Sequence, residues 1–418
     1  MLGFSRNVKG QACLSGTSLV ELIAAARTGT PAYVYDVDAV AESTRRLVAS
    51  MGDSRHIVAY ALKANSAGTV VRAVASAGAG ADVVSGAELE VARGCGVPPE
   101  RIVMSGVGKT DAELDLAIRS GILAIQAESV EELARVAARA RALSTRARVA
   151  LRINPSVMAD THSHVATGHD EAKFGIALTD LGAAWERIDG APEQLDAVGV
   201  SAHVGSNLAS PEPYRKSARA VCAVAKARAG QGKPLSYVDF GGGFGIDYGT
   251  CPVVAPEEFV RDALSLLKEE ALDELQLVVE PGRAVVGPHG VLVARVVQSK
   301  RSGRRQWIVL DAGMNDLLRP ALYQAHHRVE PLEHAPGGEN WRVVGPICES
   351  ADDFGSHPLG AEPPAAVVVR DAGAYGFSMA SQYNGRALPS EVFVASGQVN
   401  AVSQSAGAVN WVRSRLSA

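Results

Sequence analysis

The residues able to do chemistry in this chain stand at the ends of short apolar runs. Lys63 closes the run His56–Leu62 and is followed by Ala64, Asn65 and Ser66. A run of this length, bounded by polar residues, reads as a buried parallel strand. Burial disfavours the ammonium form of a lysine at its carboxyl end, so the amine becomes a nucleophile able to form a Schiff base with an aldehyde. Taken alone, Lys63 also fits a strand-end lysine that snorkels to solvent. Gly241, Gly242 and Gly243 follow a second run. Three glycines let backbone N–H groups approach an anion such as phosphate, although a plain tight turn is the competing reading. The spacing is neither the GxGxxG of a dinucleotide fold nor the Gly-Lys-Ser/Thr of a P-loop. Glu280 opens the turn Glu280–Arg283. A carboxylate there can pair with a protonated ring nitrogen and make a pyridine ring an electron sink, or it can serve a structural ion pair. His203 ends another run, where imidazole can stack on a flat cofactor, move protons, or be a satisfied core histidine.

Further groups lie outside these four endings. Cys348 and Glu349 place a thiol beside a carboxylate, a proton donor with a charge anchor or an inert core cysteine. Tyr375 sits in a glycine-flanked turn and can donate to a phosphate or a substrate. Arg319 and Tyr323 are four apart and share a face if helical. Arg283 and Arg319 can each fork onto a carboxylate, and each also reads as a solvated surface charge. The polar stretch Ser156–Asp170 carries His162, His164 and His169 without an HExxH pattern, so a mobile loop over a site is expected there and no metal centre.

Positioning these groups requires a repeated strand–helix scaffold. Eight apolar runs follow one another: Ile57–Leu62, Ala81–Val84, Ile102–Met104, Ile122–Ala127, Val149–Leu151, Val198–Ala202, Tyr237–Phe240 and Leu275–Val279. Helical spacing fills most of the gaps, as in Thr69–Ala77, Val130–Leu143 and Pro256–Glu270. Strand–helix alternation implies right-handed crossovers and a parallel sheet, and eight repeats suggest closure into a barrel. An open doubly wound sheet is the alternative. In a barrel the carboxyl ends of strands face one rim, which would gather Lys63, Glu128, Arg152, His203, the glycine turn and Glu280. Beyond Glu280, short strands separated by Gly- and Pro-rich turns predict a second, mostly antiparallel β domain. The expected class is therefore α/β, a (β/α)8 TIM-type barrel over residues 31–281 with a β-rich domain built from residues 1–30 plus 282–418.

Composition narrows the function classes. The net charge is −4, from 41 basic and 45 acidic residues, and no Lys/Arg-rich block occurs, so nucleic acid is not an expected partner. Five scattered cysteines without a CxxC argue for reduced thiols in a cytoplasm. No run is long enough to cross a bilayer, and Met1–Arg6 lacks the apolar core of a signal peptide, so a cytoplasmic, membrane-free location is expected.

From about Pro31 to about Val394, the order of the motifs YALKAN, GADVVSGAEL, SGVGKT, LRINP, TGHDEAKFGI, SAHVGS, DFGGGFG, EPGR, DAGMNDLLRPALY, GPICES and AGAYGFSMASQYN resembles the pyridoxal-phosphate-dependent decarboxylases of the alanine-racemase fold, most closely the diaminopimelate decarboxylases. The resemblance implies pyridoxal 5'-phosphate as cofactor. It implies decarboxylation of meso-2,6-diaminopimelate to L-lysine and CO2, with ornithine, lysine or a specialised analogue as the alternative substrate. Lys63 would hold the cofactor, His203 would stack on its ring and Glu280 would pair with the ring nitrogen. Arg152 would lie near the 3′ oxygen, and Ser206, Gly243 and Tyr375 would hold the phosphate, with Gly282 and Arg283 close by. Arg283, Arg319, Tyr323 and Tyr375 would bind the substrate, Glu349 its distal ammonium, and Cys348 would return a proton. In this family the cysteine and glutamate reach the site from a second subunit, which implies a homodimer with shared active sites. Two departures, Ala387 after Arg386 and Phe244 in the glycine turn, bear on packing.

Overall fold

A computed structural model describes residues 2–155, 173–303, 305–403 and 407–417. The stretch Ser156–Asp170 with its three histidines lies outside the described residues. The chain divides into two compact units, one made of Ser43–Gly245 and Val253–Ala284, the other of Met1–Glu42, Ile246–Pro252 and Val285–Ala418.

The first unit is a closed barrel of eight parallel strands. They are β1 (Ile57–Ala61), β2 (Gly80–Val83), β3 (Ile102–Met104), β4 (Ala124–Ala127), β5 (Ala147–Asn154), β6 (Leu195–Ser201), β7 (Tyr237–Gly242) and β8 (Gln276–Glu280). Neighbours pair in chain order, and β8 returns to β1 through Val278↔Ile57 and Val279↔Val58. All eight predicted runs are therefore strands of one barrel, which excludes the open sheet. Each strand is buried almost throughout, which is why the runs read as continuous apolar stretches rather than alternating ones. The interior is packed by Ile57, Ala59, Val103, Ala124, Ala150, Val198, Tyr237 and Val278.

Local signals start the outer helices. Ser85, Thr110 and Ser129 cap Gly86–Gly94, Asp111–Ser120 and Val130–Ala142, each accepting the N–H of the glutamate three residues on. Thr110 and Glu113 complete a reciprocal capping box. The helix Leu181–Asp189 was not predicted. Phe244, the departure in the glycine turn, is buried and stacks on Phe259 with ring centroids 4.6 Å apart and edge-on to Tyr214 at 5.4 Å, a packing role.

The second unit holds a nine-stranded sheet running Asp353–Pro358, Asn340–Val344, Arg305–Leu310, Gly290–Ser302, Ala32–Asp36, Ser390–Ala395 and Gln398–Ser403, with Val329–Pro331 and Ala366–Val369 off this path. Most pairings are antiparallel; Arg305–Leu310 with Asn340–Val344 and Ala32–Asp36 with Ser390–Ala395 are parallel. Ala32–Asp36, expected at the start of the barrel segment, instead lies between Gly290–Val293 and Ser390–Val394 in this sheet. An apolar strand followed by a helix looks like another barrel repeat, and only its long-range pairing separates the two. The opening residues join the same unit, where Ala12 N–H donates to Leu332 O and Arg6 pairs with Glu330 at 2.7 Å. No described helix is long and apolar enough to cross a membrane.

Candidate active site

Lys63 stands two residues beyond Ala61, the end of its strand. It lies in a 3-10 turn, Leu62–Ala64, that Tyr60 pins by donating its buried hydroxyl to Asn65 O at 2.9 Å. Gly282 backs this turn: a Cβ there would lie 3.0 Å from Ala64 Cβ and 3.1 Å from Ala61 Cβ. The Lys63 amine is partly exposed and donates to Asp82 at 2.7 Å.

From Asp82 a buried hydrogen-bonded chain crosses the barrel. Ser105 Oγ lies 2.7 Å from Asp82 Oδ1 and 3.2 Å from Gln126 Oε1. Gln126 turns its amide nitrogen to two carboxylates, donating to Asp239 Oδ2 at 2.7 Å and Glu280 Oε1 at 3.2 Å. That orientation is the one two acceptors require. Gly241 N–H donates to the other Asp239 oxygen at 2.8 Å. Two neighbouring buried carboxyls cannot both ionise cheaply. Burial and the neighbouring Glu280 charge push the Asp239 carboxyl well above the carboxylate range. For Glu280 burial also pushes upward, but His203, the Lys63 charge and a proton donated by Asp239 outweigh it and hold Glu280 below its ordinary value. The shared proton thus rests on Asp239, and Glu280 stays anionic.

His203 and the glycine turn are fitted to each other. His203 Nδ1 accepts Gly242 N–H at 3.2 Å and lies 3.6 Å from Glu280, beyond hydrogen-bond length. A Cβ at Gly242 would lie 1.9 Å from Glu280 O, and one at Gly243, whose φ is +92°, would lie 2.4 Å from Gly205 O. The turn therefore needs glycine, and its close approach brings Gly243 against the loop that carries Ser206. Ser206 Oγ accepts from Arg283 at 2.9 Å. Arg152 pairs with Glu128 at 2.8 Å and lies 5.1 Å from the Phe174 ring centroid. Glu128 also accepts N–H groups from Gly106 and Gly175, each at 3.0 Å, so Arg152 is held in one place.

The barrel thus brings together Lys63, Arg152, His203, Ser206, Gly243, Glu280, Gly282 and Arg283. The remaining predicted residues belong to the β unit. Arg319 and Tyr323 share the short helix Arg319–Tyr323, as their spacing predicted. Cys348 and Glu349 are exposed on a turn organised by Asp352, which accepts N–H groups from Met314 at 2.6 Å and Ile347 at 2.7 Å. Glu349 accepts the Tyr383 hydroxyl at 2.6 Å, and Asn384 accepts Cys348 N–H at 3.3 Å. Tyr375, at φ +55°, is half-buried. Among the described residues there is no group of three or more His, Cys, Asp or Glu able to hold a metal ion.

Asp82, Ser105, Gln126 and Asp239 were missed as site residues. Their signal was present: Asp82, Gln126 and Asp239 are lone polar residues inside runs that are otherwise apolar.

The family description "Pyridoxal-dependent decarboxylase, pyridoxal binding domain" matches residues 37–287. The chain belongs to the pyridoxal-dependent decarboxylases. Among members of this family it is 37% identical over 396 residues to the diaminopimelate decarboxylase of Aquifex aeolicus, covering 94% of this chain and 93% of the relative. It is also similar to the crystal structure of diaminopimelate decarboxylase from M. jannaschii in complex with L-lysine, with a TM-score of 0.90, 31% identity, and coverage of 99% of this chain and 98% of that one. The Helicobacter pylori diaminopimelate decarboxylase complexed with L-lysine matches with a TM-score of 0.86 and 33% identity, over 93% and 97% of the two chains. A pyridoxal-dependent decarboxylase of this kind is a lyase, and both the barrel and the β unit fall within these matches.

Proposed function

We propose that the protein binds pyridoxal 5'-phosphate and decarboxylates meso-2,6-diaminopimelate to L-lysine and CO2. The buried chain from Lys63 to Glu280 carries this reading, because it joins an amine to a carboxylate held below its ordinary pKa across one barrel. The residues fit the cofactor. The turn after β7 packs so closely on backbone that only glycine fits, which leaves its N–H groups unscreened by side chains, and Glu280 is held below its ordinary pKa although it is buried. Similarity to several diaminopimelate decarboxylases across nearly the whole chain supports the substrate.

When bound, the cofactor supplies an electron sink for the pair released as the carbon–carboxylate bond breaks. Lys63 Nζ is the group that holds it covalently, and Asp82 orients that amine. Glu280 would hold a proton on the ring nitrogen, with Asp239 and Gln126 bonded to it in support. His203 would cover the ring, Arg152 would serve its 3′ oxygen, and Ser206, Gly243 and Tyr375, with Gly282 and Arg283, would hold the phosphate end. Arg283, Arg319, Tyr323 and Tyr375 bind the substrate, with Arg319 forking onto the carboxylate that is not lost. Glu349 takes the distal ammonium, and Cys348 Sγ delivers a proton to the carbon that has lost CO2. Cys348 and Glu349, exposed in the single chain, serve the site of a second subunit, so the working unit is a homodimer acting in the cytoplasm.

A panel of amino acids offered to the cofactor-loaded protein tests this function. CO2 release from meso-diaminopimelate with L-lysine as product is expected. Release only from ornithine, lysine or arginine would overturn the substrate while leaving the reaction class.

A further inference from the structure

Arg319 is almost wholly buried, at 5% exposure, so its guanidinium depends on what the protein places around it. His327 and Tyr248 are among the side chains around it. Arg319 NH1 lies 2.7 Å from His327 Nε2, and the Tyr248 ring centroid lies 4.7 Å from the guanidinium carbon. His327 and Tyr248 also meet each other edge to face, with centroids 4.9 Å apart.

A guanidinium only donates, so His327 Nε2 must present its lone pair to Arg319. The imidazole proton of a neutral ring then sits on Nδ1, which lies 2.9 Å from Arg370 O and donates to it. That carbonyl is fixed in turn. Arg370 follows strand Ala366–Val369, and its N–H donates to Arg328 O at 2.9 Å. Arg328, the next residue after His327, pairs with Asp371 at 2.6 Å. The tautomer, the ring orientation and the guanidinium plane are therefore set by one connected group of side chains in the β unit.

We propose that His327, with Tyr248, is a specificity-determining positioning residue, fixing the plane of Arg319 so that its fork meets the retained carboxylate of the substrate. The inference rests on the role of Arg319 given above. Bidentate recognition requires coplanar partners, so a guanidinium locked in advance favours ligands with a carboxylate at that end and leaves the reacting end untouched. Histidine suits the place because it accepts from Arg319 with one nitrogen while anchoring itself to the backbone with the other.

The test uses the cofactor-loaded protein and two ligands: L-lysine, which carries that carboxylate, and pentane-1,5-diamine, which lacks it. His327→Leu should weaken L-lysine about tenfold in calorimetry and raise KM for meso-diaminopimelate similarly, with kcat and diamine affinity held within about twofold. His327→Gln keeps an acceptor and should recover most of the loss. Tyr248→Phe should behave as the parent, whereas Tyr248→Ala should shift L-lysine in the same direction as His327→Leu. If His327→Leu does not fold, the glutamine and Tyr248 variants decide the matter. Equal weakening of both ligands in the variants would mean a structural role only and would overturn the proposal. Arg319→Ala separates the two layers of inference. If it fails to discriminate between the ligands, the role of Arg319 is wrong. If it discriminates while the His327 and Tyr248 variants do not, only the positioning role is wrong.

Discussion

A single neutral amide, Gln126, lies between the carboxyls of Asp239 and Glu280 and donates to both. Replacing it with leucine keeps the approximate volume but takes a donor from two buried carboxyls, while the Ser105 hydroxyl keeps Asp82. Gln126→Leu should lower stability by about 2 kcal/mol in denaturant unfolding of the cofactor-free protein, and a loss below about 0.5 kcal/mol would show that these groups find other partners. The residue scale is also where sequence reading succeeded and failed for a common reason. Lys63, His203 and Glu280 stood out because they end apolar runs. Asp82, Gln126 and Asp239 sit inside such runs, where a lone polar residue is a local mark but the partner that gives it a role is not local. Their side-chain partners are 19 to 154 residues away, so pairing became visible only in three dimensions.

At the scale of elements, strand Ser390–Ala395 carries another buried acid that burial, opposed only by the Tyr35 hydroxyl at 3.0 Å, raises from 4.5 to about 7. The group is Glu391. Between pH 4.5 and about 7 the folded chain retains a proton that the unfolded chain has released, so stability falls as pH rises through this window and levels off above it. Glu391→Gln keeps an acceptor for Tyr35 and removes the titration. It should be about 1–3 kcal/mol more stable than the parent at pH 8 and close to it at pH 4.5, read from paired thermal or denaturant melts. An unchanged difference across that range would place the ionisation elsewhere. Elements with a local signal were legible: helical spacing announced Thr69–Ala77, Val130–Leu143 and Pro256–Glu270, observed as Gly68–Ser76, Val130–Ala142 and Pro256–Glu269, and the eight runs announced strands. The three-stranded hairpin sheet of Phe4–Arg6, Ala12–Leu14 and Thr17–Ser18 and the helix Ala408–Leu416 were not, because such short pieces carry too few apolar repeats to show a period.

For the whole molecule, the barrel and the mostly antiparallel sheet were both legible, but the division between them was not. Ala32–Asp36 reads locally as a barrel strand, and Ile246–Pro252 follows directly on the glycine turn, yet both belong to the β unit. Which sheet a strand joins is decided by partners hundreds of residues distant. Assembly makes a prediction of its own. If Cys348 and Glu349 serve a neighbour's site, mixing inactive Lys63→Ala and Cys348→Ala homodimers should restore activity, because half of randomly reassorted dimers contain one intact site. The expected recovery is about a quarter of the parental activity, and none at all after demonstrated subunit exchange would mean that each chain completes its own site.

The claim on which all of this depends is that Lys63 carries the cofactor. Borohydride reduction of the pyridoxal-phosphate-loaded protein, followed by peptide mass mapping, tests it directly. A stable pyridoxyl mark is expected on Lys63 and is lost in Lys63→Ala. A mark on another lysine, or none on a protein that still decarboxylates, would contradict it.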